Sequence, residues 1–342
     1  MLRFFYLPAI TAVVCFTLAG WWGHYSPEGT WTALWESLVL CILELSLSFD
    51  NAVINAGVLT QMDARWRRLF LTLGMLIAVF GMRLLFPIAV VAVATHQSML
   101  TIFSLALNDP ERYSHALTSN YAVIAAFGGM FLLMVFFHFL FDGRRTEYWL
   151  GTPERWLANL GQTDTLSTLC ALLSLLTLYS AMPAHTPSSF VVAGVGGVLL
   201  YLLMRCADLL LPASVVSQDH SQGYRSGFAA FMYLEVLDAS FSLDGVIGAF
   251  AITRDVVIIM LGLAVGAMCV RSLTLYLVHC KALNVCVFLE HGAHYAIGVL
   301  AALMLLSLIY PVPEYLTGLS GVLILTASIV SSLLYKKKTD RS

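Results

Sequence analysis

Stretches of about 20 mainly apolar residues, the length that carries a helix across the hydrocarbon of a bilayer, recur along almost the whole chain. Ten are marked here, near 4–22, 32–59, 68–95, 120–141, 167–183, 189–211, 228–252, 256–279, 291–310 and 316–335. In hydrocarbon every backbone N–H and C=O needs an internal partner, so only helices and closed barrels span it. Long, continuous apolar runs are helical. Composition agrees, with 59% hydrophobic and 11% charged residues against about 25% charge in a soluble domain. The expected fold is an all-α polytopic membrane protein, about ten transmembrane helices forming a single integral membrane domain over 1–342. The second and third runs are long enough to tilt or break, and the fifth is short.

Charge placement orients these spans. With the N-terminus in the cytoplasm, the cytoplasmic segments hold Arg3, Arg65, Arg67, Arg68, Arg144, Arg145, Arg155, Arg225, Lys281, Lys336, Lys337, Lys338 and Arg341. The outer loops hold Arg112 and Arg254. Lys and Arg collect on the cytoplasmic side of membrane proteins, so the split places both termini there, in a plasma (inner) membrane. The Arg3-led start is read as a retained helix rather than a signal peptide, because the run from Phe4 to Trp22 is long and lacks a small-residue cleavage site. There is no broad basic surface, so nucleic acid is not an expected partner. The seven cysteines form no C-x-x-C pair, which leaves them as small apolar helix residues. No phosphate-binding loop is present, and no enzyme activity, catalytic residue or tightly bound cofactor is expected.

Inside two of the runs lie polar motifs. Glu44-x-Ser46-x-Ser48-x-Asp50-Asn51 in the second recurs as Asp238-x-Ser240-x-Ser242-x-Asp244 in the seventh, at one constant offset. From the start of the second span to the start of the seventh is a step of five spans, an odd number, which makes the motif helices antiparallel. The chain therefore reads as two inverted-topology three-helix repeats, 32–141 and 228–310, joined by connecting helices over 142–227. Such repeats are common in secondary transporters, whose substrates bind near the midplane. A charge inside the membrane costs about 2.5–3.5 kcal/mol. Glu44, Asp50, Asp238 and Asp244 would together cost on the order of 10 kcal/mol by that scale if ionised and unpaired. Glu235, one turn before Asp238, adds a fifth acid. Arg83 and Arg271, each in the helix after a motif helix, neutralise at most two, and purely structural pairing leaves a surplus of acid. Glu44, Ser48, Asn51 and Asn55 share one helix face while Ser46 and Asp50 lie well around from it, which suits a buried helix with a local break. Carboxylate, hydroxyl, amide and backbone carbonyl are hard oxygen donors that suit Mn²⁺, Ca²⁺ or Mg²⁺.

The segments "LELSLSFDNAV" and "YLEVLDASFSLDGVIGAFAIT" resemble the paired motifs of the TerC/Alx-type family of integral membrane proteins, within the LysE-like transporters. The resemblance covers both repeats. It implies two inverted three-helix repeats, Mn²⁺ efflux or metal supply to exported proteins, and a metal site at Glu44, Asp50, Asn51, Glu235, Asp238 and Asp244. Ser46, Ser48, Ser240, Ser242, Arg83 and Arg271 would support it. Second motifs of the family often read D-S-[IV]-P-A, where this chain has Asp244-Gly245-Val246-Ile247-Gly248.

Two further groups stand out. Glu290, His291 and His294 in "EHGAH" are either metal ligands on one helix face or an interfacial polar anchor. His138 and Asp142, one turn apart, are either a proton relay or an interfacial pair. The expected function is export of a divalent cation, Mn²⁺ first, by proton antiport. The alternatives are LysE-like export of a small metabolite, or metal delivery to a membrane partner without vectorial turnover; a homo-oligomer is compatible with each. A C-terminal reporter should be active in the cytoplasm, and one active only outside it would overturn the assigned orientation.

Overall fold

A computed structural model describes residues 2–26, 29–74, 76–95, 97–161, 164–182, 189–210, 227–310 and 312–339. Among these the regular elements are all helical. In chain order they begin with α1 (Leu2–Tyr25), α2 (Thr30–Leu47), α3 (Phe49–Gln61) and α4 (Ala64–Leu69). Two π-helical stretches follow, Phe70–Gly74 and Ile77–Leu85, and then α5 (Phe86–Thr95), α6 (Met99–Asn108) and α7 (Pro110–Ser119). The middle of the chain forms α8 (Tyr121–Leu140), α9 (Thr152–Leu160), α10 (Asp164–Ala181) and α11 (Ser189–Leu210). The remainder is α12 (Gly227–Ile252), α13 (Val256–His279), the single turn α14 (Ala282–Val285), α15 (Leu289–Leu306) and α16 (Glu314–Thr339).

Seven of the described helices are long and apolar enough to cross a membrane: α1, α2, α8, α11, α13, α15 and α16. The other three expected spans depart from that standard for identifiable reasons. Segment 68–95 is divided among α4, the π-helical stretches and α5. Segment 167–183 lies in α10, which meets α9 at 101°. Segment 228–252 is one continuous helix, α12, but carries Glu235, Asp238 and Asp244. The second run breaks at Ser48, between α2 and α3. The stretch around 96–119, expected as a loop, holds α6 and α7, whose N-caps Ser98 and Asp109 accept from Thr101 N–H and Arg112 N–H, each at 3.2 Å. Arg225 and Arg341, counted for orientation, lie outside the described residues.

The core follows from which helices lack a polar face. A helix apolar all round belongs in the interior. In α8 nearly every residue from Ile124 to Val135 is buried, and it packs with α11, α12 and α15 through Phe131, Leu234 and Ile297. A second apolar cluster joins α2, α12 and α13 through Leu40, Val246 and Leu263. Helices α1 and α16 instead keep Val13, Trp21, Leu323 and Leu334 exposed, as suits contact with lipid. The α1–α13 packing is tied by Trp22 Nε1 donating to Asp255 Oδ2 at 2.7 Å.

A close helix crossing sets the position of the first motif. Gly262 and Gly266 form a G-x-x-x-G face on α13, the spacing that lets membrane helices approach backbone to backbone. A Cβ at Gly262 would lie 2.7 Å from Leu40 Cβ and 2.8 Å from the Ser37 carbonyl oxygen. One at Gly266 would lie 2.5 Å from Glu44 Cβ and 3.0 Å from the Cys41 carbonyl oxygen. Gly266→Ala should therefore lose about 1–3 kcal/mol by overpacking. Gly321→Ala, with open space around it, should lose nothing; thermal unfolding in detergent compares them.

Candidate metal centre

The two motifs meet along antiparallel helices. Asn51 Nδ2 on α3 donates to Asp238 Oδ1 on α12 at 2.7 Å. Further along, the Trp66 ring in α4 meets Phe228 at the start of α12, centroids 5.8 Å apart. In the other direction the Glu44 carboxylate reaches Gly245, where a Cβ would stand 3.1 Å from Oε2. The first motif is interrupted at Ser48, with φ −104° and ψ 12°. The interruption is slight, because Ser48 N–H donates to Glu44 O at 3.0 Å and Ala52 N–H to Ser48 O at 3.2 Å. The second motif runs unbroken in α12.

Glu44 is engaged through one carboxylate oxygen, Oε1. Arg83 is ion-paired to its Oε1, and both side chains are buried. Ser48 Oγ donates to the same oxygen at 2.8 Å. Arg83 also donates to the Ala78 carbonyl within its own π-helical stretch. Such insertions re-aim side chains and concentrate at functional sites.

About 10 Å away along the helices, by the 1.5 Å rise per residue, the second acid group is arranged differently. Glu235 and Asp238 lie one turn apart on α12, Asp238 against Asn51 of α3 and Glu235 against Gly74 of the first π-helical stretch. Both Glu235 carboxylate oxygens, Asp238 Oδ2, Asn51 Oδ1 and Asn55 Oδ1 are buried with no hydrogen-bond donor. Arg271 is near without being paired to either acid. It lies within electrostatic range of Asp238 and Glu235, but donates to the Phe70 carbonyl at 3.3 Å and sits 3.9 Å over the Phe70 ring. Gly74 lies between the two charges: a Cβ there would be 2.4 Å from Glu235 Oε1 and 3.5 Å from Arg271 Nη2.

The unpartnered atoms here are acceptors alone. Carboxylate and amide oxygens are hard donors, of the kind that suits Mn²⁺, Ca²⁺ or Mg²⁺ rather than a thiophilic metal. Among the described residues no three His, Cys, Asp or Glu side chains come together as a metal-holding group.

The other expected ligands divide. Asp50 is buried and accepts from the adjacent Asn51 N–H at 3.0 Å. Asp244 lies in α12, but its side chain is outside the described residues. Ser46 and Ser240 donate to carbonyls of their own helices, Ile42 O and Val236 O. Ser242 reaches the Met82 carbonyl at 3.4 Å, next to Arg83. Asn55, one turn from Asn51 on α3 and on the Glu44–Ser48–Asn51 face, is buried and adds a further oxygen without a donor. Phe70, which engages Arg271, carried no sequence signal.

The "EHGAH" residues do not converge. His291 Nε2 lies 3.0 Å from the Glu147 carbonyl oxygen and 3.5 Å from Glu154 Oε1. His294 Nδ1 lies 2.9 Å from the Glu290 carbonyl oxygen, and its ring stacks on Phe139 at 3.9 Å. Glu290 is exposed. Arg145 donates to Glu154 at 2.7 Å and to Leu140 O at 3.1 Å, and its guanidinium lies over the Phe139 ring, 4.1 Å from the centroid. Leu150 N–H completes the Glu154 shell at 2.9 Å. These contacts make a latch that fastens the 142–160 segment to α15. Beside it, burial pushes the Asp142 carboxyl up, but hydrogen bonds from the Arg144 backbone and guanidinium outweigh this and hold it below its ordinary value. An acid kept ionised in this way suits an interfacial pair better than a proton relay. Arg145→Met would leave Glu154 buried and uncompensated, a loss of about 3–5 kcal/mol. Thermal unfolding should show it, while His294→Ala leaves Mn²⁺ binding by the purified protein unchanged.

Comparison with known proteins yields one match. The family described as Protein of unknown function (DUF475) matches residues 49–339, a stretch holding Asn51, Asn55, Glu235, Asp238 and Arg271. No curated protein and no solved structure matches the chain. With most of its length matched, this helical membrane chain belongs to the DUF475 family.

Proposed function

We propose that the chain is an inner-membrane transporter that exports a divalent cation, Mn²⁺ first, by proton antiport, with Glu235, Asp238, Asn51 and Asn55 as its binding group. The observation that carries this reading is the set of donor-less buried oxygens on α3 and α12. Each unsatisfied buried polar atom costs about 1–3 kcal/mol. A cation relieves several at once, and protons relieve the carboxylates when the cation has left. Metal and proton thus compete for the same oxygens, which is the linkage an antiporter needs.

The arrangement of the motifs supports an inverted repeat. Residues 44 and 238 are equivalent by the motif alignment, and so are 51 and 245. Asn51 meets Asp238, and Glu44 meets Gly245. Each contact is therefore the exchange of the other, the signature of a two-fold relation between antiparallel halves. Arg83 and Arg271 also each lie near the acid of their own half. The resemblance to TerC/Alx-type proteins favours the same reading, and the proposal places both termini in the cytoplasm.

Isothermal titration of the purified protein with Mn²⁺, followed by uptake into everted vesicles, tests the proposal. Asp238→Asn and Glu235→Gln should each abolish measurable Mn²⁺ binding and uptake, since a hard cation tolerates charge loss poorly. Uptake should fall when the pH gradient is collapsed at fixed voltage. Full uptake by Asp238→Asn would reject the site. Binding without flux would favour metal delivery, and competition by an organic amine in place of Mn²⁺ would favour metabolite export.

A further inference from the structure

We infer that Arg83 and Arg271 are alternate counter-charges, each neutralising the acid group that the transported cation is not using. The inference rests on the cation-transport reading. Its starting point is an unequal division of charge between equivalent halves. Glu44 is covered by Arg83 and Ser48. Its counterpart Asp238, with Glu235, keeps three donor-less oxygens, and Arg271 is held off on the Phe70 ring and carbonyl. The second acid group is thus open to a cation while the first is closed by a guanidinium.

The reverse division has the same ingredients. If Arg83 withdraws, Glu44 becomes an open acid. If Arg271 leaves Phe70, Glu235 is its nearest destination, because both already border Gly74. A cation passing from the Asp238 group to the Glu44 group then exchanges places with charge of the same sign. The buried total stays constant, which removes the large penalty of moving a lone ion through low dielectric. Both arginines are buried, so solvent does not supply this compensation. Phe70 serves as the parking place, holding a guanidinium by its ring face.

Mn²⁺ stoichiometry on the full-length purified protein tests the inference. The parent should bind one equivalent. Arg83→Gln should bind two, because Glu44 is released as a second acid group, and Arg83→Lys should return to one. Arg83→Gln/Glu44→Gln, which removes both charges, should also bind one and serves as the folded reference if the single variant does not fold. Arg271→Gln should keep one equivalent at equal or tighter affinity, since a nearby positive charge is gone, yet lose vesicle uptake. Loss of Mn²⁺ binding in Arg271→Gln, or a single equivalent in folded Arg83→Gln, overturns the exchange of counter-charges. A parent that binds no Mn²⁺ overturns the cation reading itself.

Discussion

The buried ion pair between Arg83 and Glu44 is the interaction around which the centre of the molecule is organised. Glu44 lies where α13 presses on α2 across Gly262 and Gly266. That crossing excludes water and leaves no room for a bulkier neighbour. An uncompensated carboxylate there would cost several kcal/mol, so the chain brings a guanidinium to it from the next segment. The π-helical stretch Ile77–Leu85 accompanies this placement. A regular α-helix would present residue 83 at a different angle, so the irregularity of 68–95 is tied to the charge it delivers. The long apolar run does not form a plain span because it has a second task.

Much of this was legible beforehand. The constant offset between Glu44–Asp50 and Asp238–Asp244 located the two helices that meet, and the long second run held the break now seen at Ser48. The surplus of acid over arginine pointed to buried carboxylates without a paired guanidinium, as found at Glu235. What remained hidden depends on angles and distant partners. Asn55 was visible as a face neighbour of Asn51, but its want of a donor shows only once the helices are packed. The π-helical geometry has no residue-type signature, because apolar residues there satisfy a helical pattern of either pitch. The histidines of "EHGAH" have a metal-like spacing, yet Glu154, 137 positions earlier in the chain, draws His291 into the Arg145 latch. Spacing along one helix says nothing of such a partner.

The latch also separates two kinds of buried charge in one protein. Glu154 has every neighbour it needs: Arg145, the Leu150 N–H and His291 surround it. That is a structural carboxylate, fixed and satisfied, holding the 142–160 segment to α15. Glu235 is equally buried and has no donor on either oxygen. Burial and charge are alike in the two cases; only satisfaction differs. A carboxylate left unsatisfied inside apolar packing weakens the fold, and the DUF475 chain carries that weakness one turn from the Asn51–Asp238 contact between its motif helices.

The inequality between the halves has a local cause. At equivalent positions the chain has Asn51 in one half and Gly245 in the other. Asn51 reaches across with an amide and donates to Asp238 at 2.7 Å. Gly245 has no side chain to offer Glu44, and its hydrogen atom leaves the carboxylate only 3.1 Å from where a Cβ would stand. Asp238 therefore receives a neutral hydrogen bond and keeps its charge available, whereas Glu44 must draw a full counter-charge from Arg83. A hydrogen bond to a charged group stabilises by about 1.5–3 kcal/mol. One amide and one glycine at aligned positions thus give Asp238 and Glu44 different surroundings.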